Sequence, residues 1–277
     1  MDTHPCYSAR AAKRYGRIHL SVAPRCNLRC RYCDRRFDCA NECRPGVTSR
    51  VLAPQEAVEV LASAVRRDPR LRVVGFAGPG DPLANEATFQ TLELLRGRFP
   101  QLSRCLSTNG LLLRERLADL RRSGVDSVTV TMNAVAAGVG AAIYAAVRLN
   151  GRVYRDEEGA GVLLERQLAG IAAAVAAGMR VKVNAVLIPG VNDTHLPRVA
   201  RVARTLGVRL MNVMPLYPLG EFAALPEPAE EDLDQVRAEC AADMEQMRHC
   251  AQCRADAAGL LGGCRKLARR VPVTAAV

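Results

Sequence analysis

Apolar positions recur along this chain with two periods, and segments of the two kinds alternate. Period-two or unbroken apolar runs read as strands at Arg17–Val22, Leu71–Phe76, Leu102–Ser107, Val125–Met132, Val181–Ile188 and Val208–Met214. Helical spacing covers Pro54–Arg66, Glu86–Arg98, Leu113–Arg122, Ala141–Arg148, Leu163–Ala177 and Leu196–Leu206. Pro54 stands where a helix starts, and Gly124 stands just past the end of another. Six strands, each followed by a helix or a helical insert, predict an α/β fold with a parallel sheet and helices on its outer face. The chemistry of such a sheet gathers at the C-terminal ends of its strands. The unusual loops CNLRC, GPGDP, STNG, TMN and IPG all fall at such ends. The Pro-containing stretch Leu225–Pro228 divides a core of 17–224, preceded by an extension of 1–16, from a tail of 225–277. In that tail Glu230–Met247 reads as a helix, followed by Cys250 and Cys253.

Composition narrows the class. The chain has 277 residues, 49% of them apolar, which is enough for a packed core. The expectation is a cytoplasmic monomer without a membrane span. No uncharged apolar run of about 18 residues occurs, and the first residues lack the apolar core of a signal peptide. Eleven clustered cysteines then point to metal or redox chemistry in a reducing compartment rather than to disulfides. The net charge of +11 is carried almost wholly by arginine, with lysine only at Lys13, Lys182 and Lys266. A basic surface attracts acidic partners or anions. Aromatic residues are 4% and Trp is absent, so base-stacking platforms are scarce and no nucleic acid partner is expected.

The stretch with the most chemical content is Cys26-Asn27-Leu28-Arg29-Cys30-Arg31-Tyr32-Cys33. Thiolates at CxxxCxxC spacing can hold three irons of a cubane [4Fe–4S] cluster and leave the fourth iron open. A zinc knuckle would use paired CxxC units and four ligands. The spacing resembles the cluster loop of the radical S-adenosylmethionine (SAM) superfamily, whose fold is a partial (β/α)6 TIM-type barrel. That resemblance implies a SAM-binding cluster on Cys26, Cys30 and Cys33, with Tyr32 at the family's aromatic position. Gly78, Gly80 and Asp81 resemble the segment that meets the SAM amino group. Ser107, Asn109, Thr131 and Asn133 offer polar side chains suited to a ribose or carboxylate. Ile188 resembles the residue lining the adenine. Each of these loops, taken alone, also reads as an ordinary turn.

More cysteines remain than one cluster needs. The ordered set HPCYS, NECRPGVTS, GPGDPLAN, CLSTNGL, VTVTMNAV, YAAVRLNGRVYR, LIPGVND and MRHCAQCRADAAGLLG resembles the NifB family from about His4 to Gly262. That family makes the precursor of the nitrogenase iron–molybdenum (FeMo) cofactor. The resemblance implies two further [4Fe–4S] clusters as substrates, one held with the help of Cys6, Cys39 and Cys105, the other by Cys250 and Cys253. It implies that Glu42 handles protons or sulfur between clusters. One SAM gives a methyl group to a cluster sulfide, and a second yields the radical that strips hydrogen from it. The clusters then fuse with a carbide and an added sulfur into an [8Fe–9S–C] product. Implied partners are iron–sulfur cluster donors, an external electron donor and a separate carrier for the product. The alternative is another radical SAM maturase with auxiliary clusters. Cys43 stands where the family commonly has Ser, and Cys264 follows the tail motif. A histidine ligand is expected, with His4 and His19 as candidates. His249 beside Cys250 is open, His195 reads as structural, Cys240 reads as core, and Cys105 reads as core or ligand.

Overall fold

The computed structural model describes residues 3–41, 43 and 46–262, with the backbone of 265–266. Six parallel strands form its centre: β1 (Gly16–His19), β2 (Leu71–Phe76), β3 (Ser103–Thr108), β4 (Val125–Thr131), β5 (Arg180–Leu187) and β6 (Leu210–Pro215). They pair in chain order from β1 to β6, every pair parallel. The predicted α/β fold, a partial TIM-type barrel, is what forms.

The period of two in the strands decides which side chains face the helices. Ile18, Leu20, Val74, Phe76, Leu106, Val128, Val130, Val183, Ala185, Met211 and Val213 all enter one apolar core with the surrounding helices. Their alternates, including His19, Gly75, Cys105, Thr129, Lys182 and Asn212, therefore face the other way, into the lumen. Parallel strands buried on both faces usually read as continuous apolar runs. Here only the outer face does.

Two short strands extend the sheet beyond its parallel centre. Ala257–Gly259 lies antiparallel on β1, with Arg17 opposite Gly259, and Glu245–Gln246 lies parallel on β6. Segments from the far end of the chain thus cover both edges.

Three predicted helices end early, and the first of them, Glu86–Arg98, stops at Leu95. Ala141–Arg148 is helical only to Ile143, within the helix Ala137–Ile143, and Tyr144–Leu149 is a strand. It pairs with Leu28–Cys30 of the cysteine loop and with Arg152–Tyr154. The Asn150–Gly151 turn explains the difference. Both residues have positive φ, 52° and 77°, the backbone of a tight hairpin whose twist suits the flanking strands. In the tail, Glu230–Ala241 is helical, but Met244 and Met247 are buried and Met247 N–H donates to Met211 O at 2.7 Å. Pairing with β6 replaces the last helical turn. His195 stands at the start of the helix Leu196–Thr205 without capping it, and its Nε2 accepts from Val135 N–H at 3.0 Å, a structural use. Cys240 is fully buried in the core.

The longest helix, Asp156–Ala176, is long and apolar enough to cross a membrane by length and composition. In this fold it packs against the helices Leu113–Arg122 and Ala137–Ile143. Its two neighbouring glycines make opposite predictions. A Cβ on Gly161 would meet nothing within 4 Å, whereas one on Gly159 would lie 2.9 Å from the Tyr154 carbonyl. Gly161→Ala is expected to raise unfolding stability by about 0.5–1 kcal/mol. Gly159→Ala is expected to lower it by about 1–3 kcal/mol. Urea unfolding of the two variants checks both signs.

Candidate metal centre

Cys26, Cys30 and Cys33 open on one cleft at the C-terminal mouth of the barrel, which Cys39, Asp81 and Asn109 also line. Gly80, Ser107 and Thr131 contribute to the same wall. The loop is sewn to the barrel by its main chain. Gly80 N–H donates to Ala23 O, and Asp81 N–H to Arg25 O at 2.9 Å. A Cβ on Gly80 would come within 2.2 Å of Arg25 O, so only glycine permits this approach. Arg35 bridges Pro24 O (2.6 Å) and Pro79 O (3.2 Å). On the opposite side Glu221 pairs with Arg29 and Arg31.

Tyr32 is 1% exposed, donates to Asn41 Oδ1 at 2.5 Å and accepts from Asn133 Nδ2 at 2.7 Å. Its ring and the fully buried side chain of Ile188 sit in the apolar cluster beneath the loop. Asp81 spends its carboxylate on Leu83 N–H, Thr108 Oγ1 and Asn109 N–H at 2.7–2.9 Å, and burial pushes its pKa up. Asn109 Nδ2 reaches Asn27 Oδ1 at 2.7 Å and lies 3.9 Å from Cys26 Sγ. Gln167 ties the ends of β3 and β4 by donating to Asn109 O and Thr131 O, both at 2.8 Å. Gly78 borders the loop, with φ 137°.

The donor set suits a multi-iron group. Burial pushes the Cys26 thiol up to about 11 and also raises Cys30 and Cys33. Bound metal removes such protons outright. Among the described residues no three His, Cys, Asp or Glu side chains close on a single-ion position. The thiols instead border a cleft, as the ligands of a cluster do. Glu42, predicted to handle protons or sulfur, lies outside the described residues, as does Cys264. Cys43 is 1% exposed, with Sγ 3.8 Å from Ala77 O.

A second group of donors lies deeper in the lumen. His19, Gly75 and Cys105 stand in one row across β1, β2 and β3. A Cβ on Gly75 would meet His19 Cδ2 at 2.9 Å and Cys105 Sγ at 3.0 Å, so the missing side chain makes room for both. His19 Nδ1 lies 3.0 Å from Arg254 O. A carbonyl only accepts, so Nδ1 carries the proton and Nε2 keeps its lone pair. Burial and then the Arg17 guanidinium hold His19 down at about 4. Cys6 lies close enough to raise the Cys105 thiol further.

The tail closes over this group. His249 Nε2 is 3.0 Å from Pro5 O, which sets Cys250 next to the Cys6 segment. Arg17, fully buried, donates to Cys253 Sγ at 2.8 Å and to Gly259 O at 2.6 Å. Tyr7 OH donates to Val128 O at 3.2 Å and anchors the N-terminal segment across the lumen. His4 is buried, and its Nδ1 accepts from Cys6 N–H at 3.2 Å. Cys6 and Cys105 are thus neighbours, while Cys39 belongs to the wall of the mouth. Asn41, Gln167, Arg17, Arg35 and Tyr7 were not singled out by sequence reading.

Fold and site define a class. The family model described as the Radical SAM superfamily matches residues 20–203, and the fold agrees. SuiB of Streptococcus suis bound to S-adenosylmethionine superposes with a TM-score of 0.61 at 13% identity, over 87% of this chain and 53% of that one. A radical SAM methyltransferase of Sphaerobacter thermophilus gives 0.54 at 23% identity, over 84% and 64%. The FeMo cofactor biosynthesis protein NifB of Klebsiella pneumoniae is 49% identical over 266 residues, 94% of this chain and 57% of that protein. NifB of Methanocaldococcus infernus is 40% identical over 264 residues, 94% of this chain and 86% of that protein. The chain belongs to the radical SAM superfamily and, within it, to the NifB family. It spans little more than half the length of the Klebsiella relative. Membership implies one [4Fe–4S] cluster and SAM, and Cys26, Cys30 and Cys33 fit that cluster by donor type and placement.

The titration of His19 gives a test on metal-free protein. Its folded pKa of about 4 lies below the ordinary 6.5. Between those values the unfolded chain holds the extra proton, so stability falls as pH drops from about 6.5 towards 4. His19→Gln is expected to make that decline shallower in urea midpoints measured at pH 7, 6 and 5. A decline as steep as the parent's would exclude His19 as its source.

Proposed function

We propose that this chain is a radical SAM enzyme of FeMo-cofactor biosynthesis. In this reading it fuses two substrate [4Fe–4S] clusters, with a SAM-derived carbide and an added sulfur, into an [8Fe–9S–C] precursor. The observation that carries the reading is the distribution of sulfur donors. Cys26, Cys30, Cys33 and Cys39 line the barrel mouth, while Cys6, Cys105 and Cys253 sit with His19 and Arg17 deeper in the lumen. A radical SAM enzyme with a single cluster needs only Cys26, Cys30 and Cys33 of these.

Cys26, Cys30 and Cys33 would hold the resident cluster, and with SAM bound it would supply reductive C–S cleavage and a methyl donor. The remaining roles fall to the chain's own side chains. Tyr32, clamped by Asn41 and Asn133, fixes the loop against the barrel. Asp81, through Thr108 and Asn109, fixes the polar wall opposite it. Cys6 and Cys105 would hold one substrate cluster, with Cys39 joining them from the wall of the mouth, and Cys250 and Cys253 the other. His19 is the favoured nitrogen ligand, because its Nδ1–H is committed to Arg254 O and its Nε2 is not, the arrangement common to metal-bound imidazoles. Partners this reading requires are cluster donor proteins, a reductant and a carrier for the product.

Anaerobic reconstitution is expected to load about twelve irons per chain, three cubanes' worth. With methyl-labelled SAM and dithionite, label should enter an iron–sulfur product as 5′-deoxyadenosine appears. A count of about four irons, with no label in a cluster, would point to a different SAM enzyme. Cys26→Ala should abolish SAM cleavage. Cys250→Ala combined with Cys253→Ala should remove about four irons and stop the carbide product. Product that still activates apo-nitrogenase would refute the role given to the tail.

A further inference from the structure

Lys182 projects from β5 into the lumen and is only 4% exposed. Its Nζ lies 3.6 Å from Met247 Sδ and 5.9 Å from the centre of the Tyr7 ring. Its charge acts on three groups around it, the Cys105 thiol and the imidazoles of His4 and His19. Among the described residues no carboxylate lies within ion-pair reach of it. Arg180, two positions earlier on the same face, has Asp126 at 3.3 Å and is far more exposed. An ammonium taken out of water without a counter-charge is costly, so its position implies an anion that occupies the lumen. The residue type points the same way. Of the 39 basic residues only three are lysine, and Lys13 is exposed. Among the described residues Lys182 is the one buried lysine, a compact point charge standing among sulfur and nitrogen donors, where a branched guanidinium would need more room.

We propose that Lys182 is the fixed counter-charge of an anionic iron–sulfur cluster held in the lumen beside Cys105, His19 and Cys6. It acts as a positioning residue that raises the cluster's reduction potential. The inference rests on the function proposed above, since the anion is one of its substrate clusters. A thiolate-ligated cubane is an anion and gains negative charge on reduction. A nearby cation in a poorly solvated cavity therefore stabilises the reduced form more than the oxidised form. Met247 and the Tyr7 ring keep the ammonium dry, which lengthens the reach of its charge.

The test uses the full chain, reconstituted anaerobically as parent, Lys182→Met and Lys182→Arg. Iron and sulfide are counted, and midpoint potentials are read by EPR-monitored redox titration. Added SAM marks the signal of the cluster at Cys26, Cys30 and Cys33. The expected result is a Lys182→Met protein in which one cluster that does not respond to SAM is about tenfold harder to reduce. For one electron this is a shift of ~59 mV to more negative potential. Lys182→Arg should recover most of it. Loss of about four irons in Lys182→Met with recovery in Lys182→Arg would also support a counter-charge. The same loss in both variants would show that shape matters rather than charge, and would overturn the proposal. Potentials unchanged in Lys182→Met at full iron content would overturn it too. The metal-free Lys182→Met chain should melt no lower than the parent, because it has lost a buried charge with no carboxylate beside it. A clear drop there would mean that Lys182 is structural. If the parent itself takes up only about four irons, the proposed function fails and this assignment falls with it. Twelve irons with unshifted potentials would sink only the role of Lys182.

Discussion

The two-residue period of the six barrel strands is the constraint on which the rest depends. It sends Ile18, Val74, Leu106, Val128, Val183 and Met211 outward into one core with the helices. The same period commits the intervening positions to the lumen, and there the side chains are His19, Cys105, Thr129, Lys182, Asn184 and Asn212. A lumen of this kind is expensive to bury unless each polar group finds a partner. Much of the local structure answers that demand. Asn212 Nδ2 meets Asn184 Oδ1 at 3.3 Å, Asn133 Oδ1 accepts from Val186 N–H at 2.8 Å, and Arg17 caps the carbonyls of Gly259 and Leu260. Stability therefore resides mainly outside the barrel wall, and chemistry inside it.

Main-chain pairing between loops converts this lumen into a site. Gly80 brings the β2 loop against Arg25, and Arg35 holds the seam. The hairpin Tyr144–Tyr154 then gives Leu28–Cys30 a strand partner. The cysteine loop is thus tied to the barrel by three separate connections made by the protein itself, and such ties lower the conformational cost of gathering three thiols around a cluster.

Much of this was legible in the sequence. The six strands, their parallel order and the placement of the unusual loops at the C-terminal ends follow from periodicity alone. The hairpin did not, because Tyr144-Ala145-Ala146-Val147 carries helix-forming alanines and was read by propensity. The Asn150–Gly151 pair was the overlooked signal, and tertiary pairing with the cysteine loop overrode the alanines. The tail helix was drawn too long for a related reason: Met244 and Met247 fit helical spacing equally well, but the edge of β6 offered them a strand. The bonds that Asp81 accepts from Leu83 N–H, Thr108 Oγ1 and Asn109 N–H join two strand ends far apart in the chain. A single sequence gives the residue at a strand end, but not the partners that fix it there.

The approach of the two chain ends was the least legible feature. Cys6 and Cys253 are separated by most of the chain, and the antiparallel placement of Ala257–Gly259 on β1, with the His249–Pro5 contact, brings their segments to one place. Arg17 shows why that placement is specific. It sits on β1, faces the lumen, and reaches Gly259 O, Leu260 O and Cys253 Sγ with one guanidinium. A fork of donors with fixed spacing selects one register of the tail strand, and that register sets where Cys253 lies. A slip of one residue would turn the tail's side chains to the opposite face. Arg17 therefore links the geometry of the sheet to the position of a sulfur donor. The same strand carries His19 two residues on, so β1 orients donors for the lumen directly and the tail donors indirectly.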